Sequence, residues 1–118
     1  MAQTRDPREE WLTEETIAAL ATPPGRSALG IVRLTGPRCR EIAAFLLGPL
    51  PLEPRRATVR VLVRARRTVD RVVATLWSAP ATATGEDLLE ITAHGSPEIL
   101  RDILEGALEA GARAAAPG

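Results

Sequence analysis

Two charged side chains stand inside otherwise apolar runs: Glu90 within LLEIT (88–92) and Arg33 within LGIVRL (29–34). A carboxylate accepts with both oxygens from an N–H beside an exocyclic NH₂. Nitrogen heterocycles present such an edge, and Glu and Asp accept from base edges in the same way. Glu90 is the candidate for this chemistry. Arg33 would be expensive to bury unpaired, so it needs an exposed face or a carboxylate, supplied by Glu90, by Asp87 or by an anionic ligand. Glu86 and Asp87 are adjacent acids, a weak hint of acid–base work. A Thr-Gly-Glu-Asp turn caps itself through Thr84 and its acidic side chains, so their role here is structural. His94, the single histidine, has no Ser or Cys nucleophile in a recognisable arrangement, and Arg26 leaves a Pro23-Pro24-Gly25 turn. No residue is assigned a catalytic role, and the lone Cys39 with the lone His94 offers no metal-ligand spacing.

Composition narrows the function classes. The 118 residues suit one domain, and fifteen basic and fifteen acidic side chains cancel, so no net field draws in nucleic acid or an anionic membrane. Every basic residue is arginine, which excludes a Walker A loop, whose lysine lies against the phosphates. One cysteine makes no internal disulfide, the first residues carry no apolar signal segment, and no run approaches the ~20 apolar residues of a membrane span. A reducing, cytoplasmic setting without membrane contact is expected.

The elements that must hold Arg33 and Glu90 follow from periodicity and punctuation. Residues 1–10 form a polar tail, and the domain runs over 11–118, with Trp11 and Leu12 its first apolar side chains. Runs at 15–22 and 27–34 are strands joined by the proline-glycine turn. A helix starts at Pro37, capped by Thr35 or Gly36, carries Ile42, Phe45 and Leu46 as its apolar stripe, and ends at Gly48-Pro49. At 57–66 Ala57, Val59, Val61, Val63 and Ala65 alternate with Thr58, Arg60, Leu62, Arg64 and Arg66, predicting a half-buried strand with a basic outer face. A turn at 66–68 leads into the apolar run 69–77, read as an inner strand buried on both faces. Residues 88–92 form a short strand. Ser96, Pro97 and Glu98 then open a helix whose core side is Ile99, Leu100, Ile103, Leu104, Ala107 and Leu108, closed by Gly111. The arginines 55, 56, 60, 64, 66, 67 and 71, countered by Asp70 and without aromatic interleaving, read as a solvated face. The order of elements gives an α+β fold, a small mixed or antiparallel sheet flanked by helices.

Three motifs in order, TPPGR at 22–26, GIVR at 30–33 and TGED-x-x-E-x-x-x-HG at 84–95, resemble the N-terminal, folate-binding domain of the bacterial MnmE (TrmE) tRNA modification GTPases. The resemblance covers residues 15–118 and implies a fold like the folate-binding module of the glycine cleavage T-protein. It implies a tetrahydrofolate derivative, 5-formyl- or 5,10-methylene-tetrahydrofolate, as cofactor. Arg33 and Glu90 are then the cofactor-binding residues, with Arg26 and His94 as further pocket positions. It also implies a homodimer, an MnmG-type partner protein and an indirect relation to tRNA, whose wobble uridine the family modifies. GTP and potassium would belong to a GTPase domain that, with the helical domain, would follow this region. Two other readings stay open: a dimerising or docking fragment that binds no folate, and a stand-alone one-carbon transferase, for which no acid–base constellation is present.

Overall fold

The computed structural model describes residues 15–82 and 84–115. The expected tail at 1–10, and Trp11 and Leu12, lie outside the described residues. Two helices and six strands follow in the order β1 (Ile17–Leu20), β2 (Leu29–Thr35), α1 (Cys39–Leu47), β3 (Thr58–Arg64), β4 (Arg67–Trp77), β5 (Leu88–His94), α2 (Pro97–Glu109) and β6 (Arg113–Ala114). They build one sheet in the order β3-β4-β5-β2-β1-β6, antiparallel throughout except where β6 joins β1 in parallel. The fold is the expected α+β class with a mixed sheet.

Both helices pack on one face of this sheet, α2 against β1 to β5 and α1 against β3 and β5. Strand side chains alternate between faces. Val32 and Leu34, Leu89 and Ile91, and Val72, Ala74 and Leu76 therefore meet Ile42, Leu46, Leu100 and Ile103 in one buried core. Gly30 lets α2 lie close on β2, since a Cβ there would come within 2.5 Å of Leu100 Cδ1. At α2 Ser96 is the N-cap, its Oγ accepting from the Ile99 N–H, with Pro97 first and Glu98 in the opening turn, as expected.

Several expectations need correction. α1 starts at Cys39, not Pro37, and neither Thr35 nor Gly36 caps it. The buried Thr16 of the β1 segment instead accepts the Arg38 N–H through Oγ1 at 2.8 Å, and Gly36 (φ +143°) leaves room for that approach. Phe45 is 61% exposed; Cys39, Ile42, Ala43, Leu46 and Leu47 form the buried side of α1, and Leu108 of α2 is likewise largely outside the core.

The faces of β3 are reversed. Leu62 is buried with Arg60 and Arg64 on the helix side, while Val59, Val61 and Val63 point to the uncovered side. The covering surface explains this, because at this edge it is polar. Arg64 pairs with Asp102, Glu105 and Glu109 of α2, and Arg60 donates to the carbonyls of Leu50 and Pro51.

β4 is an inner strand by its neighbours, yet only one of its faces is buried, with Arg71 and Val73 open to solvent on the other. Its hairpin turn with β3 is Ala65-Arg66, not 66–68, and both residues have positive φ, as a type I′ turn requires.

Candidate functional site

Among the described residues one broad face of the sheet carries no helix, and Arg33 and Glu90 meet at its centre. The antiparallel register sets Arg33 of β2 directly opposite Glu90 of β5. Arg33 donates from Nε at 2.9 Å and from Nη2 at 2.6 Å, both to Glu90 Oε1. The side chains are 47% and 24% exposed, so the pair is fixed by geometry while its outer edge stays wet. Both donors fall on one oxygen, and no described residue donates to Oε2.

The rows around the pair follow from the same registers. Thr75 of β4 lies beside Glu90 and Ala19 of β1 beside Arg33, which continues the polar row with short side chains. One neighbouring row runs Val73, Thr92, Ile31; the other runs Trp77, Leu88, Thr35, Ile17. The ion pair thus lies in a row flanked by two mainly apolar rows. Such a surface can accept a planar group whose donor edge meets Oε2 while the Arg33 guanidinium, beside it, faces a carbonyl or an anion.

The other two candidate residues are elsewhere. His94 ends β5, four residues from Glu90 on the same face, about 13 Å along the strand at the usual rise. Its Nδ1 lies 2.9 and 3.0 Å from the two Asp70 oxygens, and its backbone N–H donates to Asp70 Oδ2 at 2.9 Å. Burial works to raise the Asp70 pKa, and the two His94 hydrogen bonds overcome it, leaving the carboxyl below its ordinary value. Asp70 is thus a site residue that composition and motif did not single out. Its only sequence signal was an acid among arginines.

Arg26 lies at the β5–α2 junction, Nη2 3.8 Å from Glu98 Oε2, on the loop that Ser27 N–H ties to the Gly95 carbonyl. The four predicted residues therefore form two groups, Arg33 with Glu90 at mid-sheet and Arg26 with His94 near one end.

The acidic turn has the structural role expected of it. Asp87 Oδ1 accepts the Ala79 N–H at 2.8 Å, Asp87 Oδ2 faces Arg40, and Thr84 Oγ1 accepts from the Glu86 N–H. Cys39 is buried, its thiol against the carbonyls of Leu34 and Asp87, and burial above all pushes its pKa up to about 12. Among the described residues no group of three or more His, Cys, Asp or Glu could hold a metal ion, and no helix is long and apolar enough to cross a membrane. A separate cavity of about 280 Å³, lined by Arg40, Ala43, Leu47, Leu50, Pro51 and Leu76, lies on the helix side and contains none of the four candidates.

The family described as "GTP-binding protein TrmE N-terminus" matches residues 16–118. The chain is 45% identical over 105 residues to the tRNA modification GTPase MnmE of Legionella pneumophila (strain Paris), covering 88% of this chain and 24% of that protein. It is 47% identical to the MnmE of Opitutus terrae, covering 89% of this chain and 23% of that protein. The MnmE of Thiobacillus denitrificans is also 47% identical, with 88% and 23% covered. The chain spans about a quarter of the length of these relatives. With the family matched over nearly all of its described residues, the chain belongs to the TrmE N-terminal domain family.

Proposed function

We propose that this chain is the tetrahydrofolate-binding and dimerising module of a tRNA modification GTPase, with Glu90 and Arg33 as its principal ligand contacts. The observation that carries this reading is the Arg33–Glu90 pair, set on the helix-free face with Glu90 Oε2 accepting from no donor among the described residues. Arg33 fixes the carboxylate so that Oε2 is presented to an N–H/NH₂ edge, the donor pattern of a pterin. The folate, as a 5-formyl or 5,10-methylene derivative, supplies the one-carbon unit; this chain's residues bind and orient it. Val59, Val61, Val63 and Val73 leave an apolar strip on the same face, which supports a second copy as the cover. GTP and potassium binding, the MnmG-type partner and the tRNA belong to the longer proteins of which this region is a part, in the reducing cytoplasm that a free Cys39 suits.

One observation favours the alternative of a dimerising or docking fragment without folate. Arg33 already fills both acceptor positions of Glu90 Oε1, so the pair is complete as a structural feature. A thermal shift separates the two readings. Saturating 5-formyltetrahydrofolate at about 100 Kd stabilises a binding domain by about 2.7 kcal/mol, or roughly ten degrees or more for a domain of this size. Glu90→Ala abolishes that shift. No shift in the folded wild type supports the fragment reading.

A further inference from the structure

The chain has two tryptophans, one phenylalanine and no tyrosine. Phe45 lies on α1, on the other side of the sheet. Among the described residues Trp77 is therefore the one Trp, Phe or Tyr side chain on the uncovered face. It ends β4 and is partly buried. Its register partner on β5 is Leu88, while Thr75, its same-face neighbour along β4, lies opposite Glu90. Trp77 and Glu90 are thus diagonal neighbours across an antiparallel pair, about 7–8 Å apart between Cα atoms and within reach of an aromatic side chain.

What separates them leaves the approach open. Thr75 beside Glu90 is short, and Arg33 holds Glu90 from the opposite side, through β2. Among the described residues, the Trp77 indole is the one aromatic surface within reach of a planar ring whose edge donates to Glu90 Oε2. We infer that Trp77 is the stacking residue of this site and selects a planar heteroaromatic ring, with Glu90 reading the ring's edge and Trp77 its face. This rests on the folate-binding reading above and adds the residue through which ring planarity, not hydrogen bonding, contributes to affinity. A packing role alone, Trp77 against Leu88 across the strands, would make no demand on ring chemistry.

The chain's composition supplies the probe. In Trp11→Phe, Trp77 is the only indole, and its emission is followed while 5-formyltetrahydrofolate is titrated into the dimer or monomer as it exists. The expected result is saturable quenching. Trp77→Leu, in either background, raises Kd by at least ~5-fold, the low end of a ring-on-aromatic stack. Trp77→Phe stays within about threefold of wild type, because a ring is still present. p-Aminobenzoylglutamate, the tail without the pterin, loses nothing in Trp77→Leu. If Trp77→Leu binds as tightly as wild type while Glu90→Gln does not bind, the stacking role is wrong and the folate reading stands. If Trp77→Phe loses binding as fully as Trp77→Leu and no quenching is seen, packing accounts for the residue and the inference is overturned. A folded wild type that binds no folate overturns both.

Discussion

Arg33 and Glu90 stand opposite each other on β2 and β5, and both guanidinium contacts converge on one carboxylate oxygen. A fork-to-fork pair would have engaged both oxygens and closed the site. The observed geometry instead orients the acid and leaves its second oxygen without a donor among the described residues. The pair is partly exposed, so it adds little to stability, within the ~0–1 kcal/mol usual for such bridges.

Arg33→Ala should therefore leave the fold intact and damage binding. The melting temperature is expected to change by no more than a few degrees. Affinity for 5-formyltetrahydrofolate should fall by at least about tenfold, since Glu90 loses its fixed orientation and the ligand loses a charged donor. Arg33→Lys should recover little, because an ammonium cannot supply the two directed contacts from Nε and Nη2. Circular dichroism melts with parallel binding titrations read both effects.

Asp70→Asn tests the second cluster. The largely buried carboxylate accepts from the His94 backbone N–H and ring, which hold its pKa below the ordinary value. A depressed acid contributes stability above its unfolded pKa and loses it as pH falls through the folded value. Urea denaturation at pH 7 should show Asp70→Asn about 1 kcal/mol less stable. The difference should shrink as pH drops below the carboxylate range.

Cys39 gives the opposite sign. Its thiol is raised from 9.0 to about 12, chiefly by burial. The contribution is complete below pH 9, where both states hold the proton, and is lost as pH rises from about 9 toward 12 at up to ~1.4 kcal/mol per pH unit. Cys39→Ala should be less stable at neutral pH, from lost packing, and show a shallower alkaline decline. In the native wild type, iodoacetamide at pH 8 should label Cys39 only at the rate of unfolding.

Val61→Glu places a charge in the uncovered valine strip while leaving the covered Leu62 side untouched. If a second copy covers this face, sedimentation should show the variant as a monomer where the wild type is a dimer, with an unchanged far-UV spectrum. An equally dimeric variant would place the interface elsewhere.

Much of this was legible in the chain. The proline-glycine turn between β1 and β2, and the Ser96-Pro97-Glu98 opening of α2, act through local sterics and capping, which need no knowledge of the rest of the fold. The orientation of β3 was not legible. A period of two defines two faces without saying which is covered, and here α2 brings Asp102, Glu105 and Glu109 to the inner side, where Arg64 meets them. The apolar run of β4 misled for a related reason, since Val73 is exposed on a side of the sheet that no helix among the described residues covers. At the site, the need of Arg33 for a carboxylate pointed to Glu90 as one partner. The pairing of His94 with Asp70, 24 residues away, depended on the register of two strands and left no local trace.

The most direct test of the central claim is calorimetric titration of 5-formyltetrahydrofolate into wild type and Glu90→Gln, a variant that keeps the shape and removes the charge. The account predicts saturable binding to the wild type and none, or at least ~100-fold weaker, to Glu90→Gln, the loss of a charged acceptor reading two donors. Equal affinity for both proteins would contradict it and remove Glu90 from the site.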